Sequence, residues 1–597
     1  MRAVSFPASR LRLERLADIA AQDPFLCPAR PCRDIRAVKS EPALPGRTVL
    51  SRRPRPASGA LASGTLAILA GGAAACGFQP LSLWPLTLIG VAVLLELVAR
   101  APGWQRAFLI GWSFGLGHFT LGNNWIATAF TYQANMPAWL GMVAVVLLSL
   151  YLAIYPALAA LGGWLVLRRA RQPGGPAVFA ALALATAGCW IVAEWLRAWV
   201  FTGFAWNPLG IALLGGFETR GLALAAPWIG TYGLSGLLVL LAALPGLYLR
   251  LSRAAPSTRH RARRWAWALP MLAIYAALSA AMSLPDRWAQ REEGAVRFTL
   301  VQPDIRQEFI DDPRNFETNF ITLARLSLPR RPGEKRVVFW PESGLGDYVR
   351  DGYPPYLYRI YTYAGDPVLA RRRIGRVIGP YGLLMTGAVD VVMKDEEEIA
   401  ARNSVSAIDG DGNLIASYSK AHLVPYGEYL ALRWLLEPLG ATRLVPGALD
   451  FLPGPGPRTI DFGDWGKAGV QICYEIVFSG EVVDPRLRPD YIFNPSNDGW
   501  FGAWGPPQHL AQARLRAIEE GLPVMRSTTT GISAVIDADG IVRAHVPWHQ
   551  AGRLDGLIPP SHPPTLFARW GNLLPLAFAA LLLVIAVSGI ALRRRGE

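Results

Sequence analysis

Three residues in the second half of the chain have the types and surroundings that thiol catalysis needs. Cys473 follows an apolar run that predicts a strand, which would place the thiol at the strand end. A thiol nucleophile needs a neighbouring base and a group that stabilises the oxyanion. Glu342 is a candidate for the base and Lys420 for the positive charge. The motifs that hold them are Lys467-Ala-Gly-Val-Gln-Ile-Cys-Tyr-Glu-Ile-Val-Phe478, Val337-Val-Phe-Trp-Pro-Glu-Ser-Gly344 and Ser417-Tyr-Ser-Lys-Ala-His-Leu-Val-Pro-Tyr-Gly-Glu-Tyr429.

Each of these residues alone also has a plain structural explanation. Cys473 is the one cysteine between residues 285 and 571, so a disulfide within this part of the chain is excluded. A lone thiol is commonly a buried structural side chain. Glu342 fits a surface carboxylate at a strand end, and Lys420 fits a solvated cation in a loop. The catalytic interpretation therefore depends on the three residues together.

The elements that must position these residues indicate a mixed α/β domain. Short alternating or apolar runs predict strands, and Gly- and Asp-rich turns between two such runs predict hairpins. Ala511, Leu515 and Ile518 recur on one face and predict an amphipathic helix. The predicted strands lie at 296–300, 337–340, 404–408 and 414–416, a further hairpin at 535–542, and the helix at 508–520. This part of the chain, about 270 residues long, can build one substantial core.

The composition of the whole chain indicates an integral membrane protein. The 597 residues are 52% hydrophobic and only 17% charged, against about 25% charged in soluble domains. The five cysteines are too few and too scattered for a disulfide scaffold, and the composition excludes a disordered chain and a coiled coil.

Eight strongly apolar, weakly charged segments predict about eight transmembrane helices, since a helix needs roughly 20 residues to cross a bilayer. The alternative, buried helices of a large soluble protein, is disfavoured because seven of the eight segments are consecutive. The segments are 60–76, 81–98, 107–130, 138–167, 177–199, 222–249, 265–283 and 572–592.

Arginine clusters lie on one alternate set of the predicted loops, which the positive-inside bias assigns to the cytoplasm. The formal charge of +15 is therefore a topology signal, and no nucleic-acid partner is predicted. The predicted order is a basic, Pro- and Arg-rich cytoplasmic extension at 1–56, helices one to seven at 57–284, a periplasmic domain with connecting arms at 285–571, the eighth helix at 572–592 and a basic cytoplasmic tail at 593–597.

Three motifs, taken in order, resemble the nitrilase, or carbon–nitrogen hydrolase, superfamily and its Glu–Lys–Cys triad. They are Trp-Pro-Glu at 340–342, Lys-Ala-His-Leu-Val-Pro-Tyr-Gly-Glu at 420–428 and Ile-Cys-Tyr-Glu at 472–475. With the membrane segments on either side, the chain resembles the apolipoprotein N-acyltransferase family within it. The resemblance implies a multi-span helical membrane domain and an extramembrane α/β nitrilase-like domain, an αββα sandwich.

The resemblance also implies roles for individual residues. Cys473 would be the nucleophile, Glu342 the general base, and Lys420 the cation that steadies the oxyanion. Glu428 and Glu475 are expected to support the triad. Tyr474, Trp500 and Phe501 are candidates for an apolar wall that binds the acyl chain, although the two aromatic residues after Gly499 also fit a role in filling the core.

The expected activity is transfer of a fatty acyl chain from membrane phospholipid, through a Cys473 thioester, to the α-amine of a diacylated apolipoprotein. The alternatives are a membrane-tethered amidase acting on a small amide and a non-enzymatic membrane scaffold. A bacterial inner-membrane location is expected. No HExxH, paired CxxC or phosphate loop occurs, so no metal or other cofactor is predicted.

Within the membrane segments, Glu194 and Arg197 lie one helical turn apart. They are consistent either with a functional pair that faces the helix bundle or with an anchor at the membrane surface.

Overall fold

Helices fill the first half of the part of the chain that the structure describes, and strands first appear after residue 296. The computed structural model describes residues 57–132, 137–170, 175–254, 260–286, 292–310, 312–439 and 449–596. The predicted extension at 1–56 lies outside these residues.

The described helices before the first strand are α1 (Ala57–Ala75), α2 (Trp84–Ala99), α3 (Trp104–Gly122), α4 (Ile126–Ala129), α5 (Trp139–Leu152), α6 (Ile154–Leu167), α7 (Pro176–Trp199), α8 (Ala226–Arg253) and α9 (His260–Ser283). The elements that follow are β1 (Arg297–Gln302), α10 (Gln307–Ile310), α11 (Phe316–Ser327), β2 (Arg336–Phe339), α12 (Pro355–Tyr361), α13 (Pro367–Ile378), β3 (Gly382–Lys394), β4 (Glu397–Asp409), β5 (Leu414–Ser419), α14 (Arg433–Leu436), β6 (Thr459–Asp461), β7 (Lys467–Val470), β8 (Tyr491–Ser496), α15 (Gly505–Glu520), β9 (Val524–Thr528), β10 (Ser533–Ile536), β11 (Val542–Val546), β12 (Gly552–Leu557), α16 (Leu566–Trp570) and α17 (Leu573–Gly596).

All eight predicted apolar segments fall on helices, but the structure does not confirm eight spans. Among the described residues, four helical stretches are long and apolar enough to cross a membrane. They are Trp139–Leu167, Pro176–Trp199, Gly221–Arg253 and Leu573–Leu592. Three further apolar helices, Leu61–Ala75, Trp84–Ala99 and Ala268–Ser283, are shorter. The segment predicted at 107–130 is divided between α3 and α4.

The strands form two six-stranded sheets, which we call sheet one and sheet two. Sheet one has the order β12-β1-β2-β3-β4-β5, and sheet two has the order β11-β10-β9-β8-β7-β6. In sheet one, β1 pairs parallel with β2 and antiparallel with β12, from Arg297↔Leu557 to Gln302↔Gly552. The predicted strands, both hairpins and the amphipathic helix are confirmed.

Successive side chains of a strand point to opposite faces of its sheet, and here both faces carry apolar side chains. One face of each sheet packs on the other sheet, and the opposite face packs on helices. Phe339 of β2 points inward, where its ring centroid lies 4.8 Å from that of Phe493 in β8. Its neighbour Trp340 points outward and packs with Phe320 of α11 and Ile374 of α13. On the far side of sheet two, α15 contacts β9. The result is a helix–sheet–sheet–helix sandwich, as expected.

Helix α15 also contacts α8, one of the candidate membrane helices, at a break in that helix. Gly230 has a φ of 64°, and a Cβ there would lie 2.4 Å from the ring of Phe567 in α16, so this position requires glycine. The helix resumes at Thr231, whose backbone N–H and hydroxyl both donate to Glu519 Oε1 of α15 at 2.6 Å. A carboxylate at a helix N-terminus is favourable. The two parts of the protein are therefore joined by specific polar contacts.

Candidate active site

Glu342, Lys420 and Cys473 all lie just beyond strand ends, where the two sheets meet. Glu342 follows β2 and Lys420 follows β5, both in sheet one, whereas Cys473 follows β7 in sheet two. All three side chains are buried, with exposed fractions of 5%, 1% and 4%. Lys420 Nζ lies 3.4 Å from Glu342 Oε1, and the charges of both residues act on the Cys473 thiol. The structure therefore brings the three predicted residues together.

Both carboxylate oxygens of Glu342 have a donor. Oε1 accepts from the side-chain amide of Asn403 at 2.7 Å, and Oε2 accepts from the backbone N–H of Asn497 at 2.7 Å. The backbone around Glu342 is tightly enclosed, since a Cβ on Gly387 would lie 2.6 Å from Glu342 Cα. These contacts fix the orientation of the carboxylate.

Lys420 is held as a buried cation between two carboxylates. Its Nζ lies 3.0 Å from Glu428 Oε1, which also accepts from Asn403 at 2.8 Å. The second oxygen of Glu428 accepts from the backbone N–H of Val424 at 2.7 Å. Burial alone would lower the pKa of Lys420, but the charges of Glu428 and Glu342 outweigh it and raise the pKa. The ammonium therefore stays charged and is suited to stabilising an anion.

Cys473 lies at the first position of a 3₁₀ turn, Cys473–Val477, with a φ of 50°. This left-handed conformation costs a residue other than glycine about 1–3 kcal/mol. Burial raises the pKa of the thiol well above its usual value, and the charge of Glu342 adds to this, while Lys420 acts in the opposite direction. The resting thiol is therefore protonated, so a base must accept its proton before it can attack.

Glu475 ties the nucleophile turn to the lysine loop. Its Oε2 accepts from the backbone N–H of Ile472 at 2.7 Å, directly before Cys473. Its Oε1 accepts from the backbone N–H of Ala421 at 2.7 Å and from the Tyr418 hydroxyl at 2.8 Å. One buried side chain thus links the segments that carry two members of the predicted triad.

The part of the chain that holds the two sheets is called the outer domain here, because it lies outside the helix bundle. The aromatic residues predicted to form an acyl-binding wall lie where this domain meets the helices. Phe501 is 8% exposed and packs edge-on against Trp125, with ring centroids 4.7 Å apart. Trp500 is half-buried and makes an edge contact with Tyr132 at 5.4 Å. The Tyr474 hydroxyl donates to the carbonyl of Gly203 at 3.4 Å. All three are therefore near the helices, and Phe501 fills the contact between the two parts.

Sequence reasoning missed Asn403, which joins the carboxylates of Glu342 and Glu428 through one amide nitrogen. Its backbone carbonyl also accepts from the Lys420 N–H at 2.8 Å. The strand was predicted only from residue 404, and Asn403 directly before it belongs to a residue type that is depleted in strands, so no signal in the sequence indicated its place in β4. The contact of the Asn497 backbone N–H with Glu342 has no signal in the side-chain pattern.

Glu194 and Arg197 face the helix bundle and are buried, which rules out the surface-anchor interpretation. Glu194 Oε1 accepts from Trp190 Nε1 and from the backbone N–H of Leu209, both at 2.8 Å. Arg197 donates to the carbonyl of Trp206 at 2.9 Å. The pair fixes the segment after α7, and this segment contacts the outer domain.

Within the residues that the structure describes, no group of three or more His, Cys, Asp or Glu side chains is arranged to hold a metal ion. His422 stacks on Phe478 with ring centroids 4.2 Å apart, and its Nε2 lies 3.3 Å from Glu481. These contacts indicate a structural role for His422.

Comparisons with known proteins match both parts of the chain. The family model described as apolipoprotein N-acyltransferase N-terminal domain matches residues 70–244, and the carbon–nitrogen hydrolase model matches residues 299–561. The curated apolipoprotein N-acyltransferase of Rhodopseudomonas palustris is 33% identical over 545 residues, which cover 89% of this chain and 95% of the relative. That of Bradyrhizobium diazoefficiens is 34% identical over 553 residues, covering 87% and 94%.

Solved structures similar to part of this chain include an amidase from Nesterenkonia and Nit3 of Saccharomyces cerevisiae, a member of branch 10 of the nitrilase superfamily. The amidase is 18% identical with a TM-score of 0.30, covering 45% of this chain and 92% of the amidase. Nit3 is 20% identical with a TM-score of 0.31, covering 44% and 90%.

Proposed function

The chain belongs to the apolipoprotein N-acyltransferase family, and we propose that it N-acylates lipoproteins through a thioester on Cys473. The acyl donor is a membrane phospholipid. The acceptor is the α-amine of the N-terminal diacylglyceryl-cysteine of an apolipoprotein. The observation that supports this chemistry best is the buried contact between Lys420 and Glu342, at 3.4 Å, beside a protonated thiol.

In the first half-reaction, Glu342 accepts the thiol proton and the Cys473 sulfur attacks the ester carbonyl carbon of the phospholipid. Negative charge develops on the carbonyl oxygen, and the Lys420 ammonium stabilises it; such stabilisation contributes about 3–4 kcal/mol. The tetrahedral intermediate collapses, the C–O bond of the ester breaks, and the leaving lysophospholipid oxygen takes the proton from Glu342. The acyl chain remains on sulfur as a thioester.

In the second half-reaction, the amine of the acceptor attacks the thioester carbonyl and Glu342 accepts a proton from the nitrogen. Lys420 again stabilises the oxyanion. The C–S bond breaks, the acyl chain stays on nitrogen as an amide, and the proton returns to the Cys473 sulfur. Donor and acceptor use the same site in turn, so the kinetics are ping-pong.

The supporting residues act through the triad. Glu428 keeps the Lys420 ammonium charged and in place, and Asn403 holds the Glu428 and Glu342 carboxylates in register. Glu475 fixes the turn that carries the nucleophile. Tyr474, Trp500 and Phe501 lie beside the helices, where a lipid chain would enter.

Selectivity for an amine over water requires exclusion of bulk water and orientation of the acceptor. A thioester can acylate either nucleophile, but well-oriented groups reach effective molarities of about 10⁵–10⁸ M. The acceptor carries its own lipid, so it can reach the site from the same lipid phase as the donor. The direct packing of the outer domain on the helices supports this route.

The proposed arrangement in the membrane has about eight spans, with residues 285–571 on the periplasmic side of the bacterial inner membrane. The four long apolar helices, the three shorter ones and the alternating arginine clusters support it.

Mass spectrometry of the Cys473 peptide tests the reaction directly. Purified protein in phospholipid alone is expected to accumulate a long-lived acyl mass on this peptide. A diacylated lipopeptide should discharge it quickly, and water only slowly. Rapid hydrolysis that the lipopeptide does not accelerate would instead support a tethered hydrolase, and absence of any adduct would support a scaffold.

A further inference from the structure

Two adjacent residues at the start of α15, Gln508 and His509, connect the candidate membrane helices to the nucleophile. Both side chains are fully buried, with an exposed fraction of 0%. Neither takes part in the proposed proton transfers.

His509 lies directly behind Cys473. Its Nε2 is 3.0 Å from the carbonyl oxygen of Cys473, and a nitrogen facing a carbonyl oxygen must donate a hydrogen to it. Its Nδ1 lies 2.9 Å from Asp498 Oδ1 and 3.1 Å from Arg526 Nη2. Arg526 in turn binds both oxygens of Asp498, at 2.7 and 3.0 Å. The imidazole is therefore fixed on both sides.

Gln508 binds four groups of the helical region. Its Nε2 donates to the carbonyls of Gln79 at 3.1 Å and Gly122 at 3.2 Å. Its Oε1 accepts from Trp206 Nε1 and from the side-chain amide of Asn207, both at 2.8 Å. One amide side chain thus uses its donors and its acceptor to join the α1–α2 connection, the end of α3 and the segment after α7 to the outer domain.

The carbonyl that His509 holds belongs to the residue with the left-handed backbone. Because Cys473 has a φ of 50°, its peptide needs an external partner to keep the conformation that places the sulfur. A displacement of about 1 Å at a reacting atom can cost about 100-fold in rate. The position of the nucleophile therefore depends on the position of α15, which depends on the helices that Gln508 contacts.

We propose that His509 is a positioning residue for Cys473, and that Gln508 couples this position to the membrane helices. This proposal rests on the acylation chemistry of the proposed function. Through this coupling, Cys473 is placed for attack only when the outer domain packs correctly on the lipid-facing helix bundle.

Two substitutions at His509 and a matched control test the first part. His509→Leu removes the bond to the Cys473 carbonyl, whereas His509→Gln keeps a side-chain N–H that can donate. The control is Gln512→Leu, one turn along α15, where another buried glutamine has its side-chain nitrogen 3.5 Å from the carbonyl of Gln508. Thioester formation with phospholipid and alkylation by iodoacetamide are both measured on the Cys473 peptide, together with Tm.

His509→Leu is expected to form the thioester about 100-fold more slowly, with the KM for phospholipid unchanged. Its alkylation should be about tenfold slower, because a displaced thiol loses its base. His509→Gln should recover most of both rates, and Gln512→Leu should match the wild type. The proposal is wrong if His509→Leu keeps the wild-type rates, or if His509→Gln is as slow as His509→Leu. Alkylation does not require the transferase chemistry, so it still decides the positioning role if wild-type protein forms no thioester, a result that would overturn the proposed function instead.

The coupling is tested with Gln508→Leu and the double variant with His509→Leu. Residues that act through one shared element give non-additive losses. If Gln508 acts on Cys473 through α15 and His509, the double variant should form the thioester no more slowly than His509→Leu alone. Fully additive losses would contradict the coupling. If Gln508→Leu does not fold, Gln508→Asn replaces it, because the shorter amide keeps its polarity but does not reach all four partners.

Discussion

The Lys420 ammonium lies 3.0 Å from Glu428 Oε1, closer than its 3.4 Å distance to Glu342 Oε1. Glu428 is therefore the main counter-ion of Lys420. This arrangement leaves Glu342 as the carboxylate available to take a proton. Its Oε1 accepts from Asn403 at 2.7 Å besides its longer contact with Lys420, and its Oε2 accepts from the backbone N–H of Asn497. A triad with one carboxylate would have to use the same group both to hold the lysine and to move protons.

The first prediction concerns the nucleophile and base. Cys473→Ala should abolish both the acyl-enzyme and lipopeptide acylation, because no other group can carry the chain. Glu342→Gln should slow thioester formation severely, and the double variant should be no worse than Cys473→Ala, since residues that act as a unit are non-additive. Mass spectrometry of the acyl-enzyme and of the lipopeptide product measures both steps. Near-normal turnover by Cys473→Ala would exclude covalent catalysis on this residue.

The second prediction isolates the charge on Lys420. Lys420→Met keeps a similar length without the ammonium, and should lower kcat for thioester formation by about 10²–10³, as expected for loss of one oxyanion stabiliser. The exposed Lys394 provides a matched control, and Lys394→Met should react at the wild-type rate. Single-turnover kinetics in phospholipid micelles distinguish the two variants. Equal rates for both would show that the lysine charge does not act in the transition state.

The third prediction is a pH dependence of stability caused by Glu520. Burial, together with the neighbouring charge of Glu519, raises the pKa of Glu520 from 4.5 to about 7. A carboxyl with a raised folded-state pKa contributes stability that is fully present below its unfolded pKa and is lost as pH rises through the folded value. The contribution lost between pH 4.5 and about 7 is about 3 kcal/mol.

The Tm of the protein in detergent should therefore fall between pH 5 and pH 8, and Glu520→Gln should reduce this fall. Glu437, whose side chain is 62% exposed, serves as the control, and Glu437→Gln should keep the wild-type slope. An unchanged slope in Glu520→Gln would show that this carboxyl titrates normally.

The fourth prediction concerns the polar contacts between Glu519 of α15 and Thr231 at the break in α8. Glu519→Ala removes the acceptor for Thr231 and leaves the guanidinium of Arg516, whose Nε lies 2.8 Å from Glu519 Oε2, without its buried counter-ion. Breaking such a pair costs about 3–5 kcal/mol, so a marked loss of Tm is expected. The neighbouring Glu520→Gln, assayed at pH 6, should not lower Tm. A Glu519→Ala variant as stable as the wild type would show that these polar contacts do not contribute to stability.

The fifth prediction concerns topology. Single cysteines introduced at exposed positions between 285 and 571, such as Asp464→Cys, should react with impermeant thiol reagents on intact spheroplasts. Cysteines between positions 250 and 264, such as Arg253→Cys, or after Leu592 should react only after the membrane is opened, because arginine clusters favour the cytoplasmic side. Labelling of Arg253→Cys from outside would reverse the proposed orientation.

The sequence predicted those parts of the site that depend on local pattern. Strand runs, turn residues and three motifs were enough to find Glu342, Lys420 and Cys473 and the sheets that carry them. The contact between His509 and the Cys473 carbonyl was not predictable, because it joins residues 36 positions apart through a backbone atom. Gln508 lies 429 positions from its partner Gln79, and only the packing of α15 on the helices brings them together.

The predicted number of membrane spans is not confirmed, for a different reason. Hydropathy locates apolar helices, but the apolar stretches of the first two helices and of α9 are short, and α3 ends at Gly122 before the predicted segment does. Helix α3 packs against another apolar helix, since the ring of Phe114 meets that of Trp190 in α7 edge-on, with centroids 6.1 Å apart. A helix that other helices cover exposes less surface to lipid, so its apolar stretch can be shorter than that of a helix surrounded by lipid.

Because β1 and β12 pair antiparallel from Arg297↔Leu557 onward, the outer domain begins and ends at neighbouring points on one sheet edge. A unit whose two ends emerge side by side can be inserted into a host chain through a single loop. The helices up to α9 and the last helix, α17, can then pack together as they would if a short turn joined α9 to α17. A catalytic domain of this kind can thus be gained or exchanged as one unit, and the contacts that must be matched afterwards include those of α15 with the host helices.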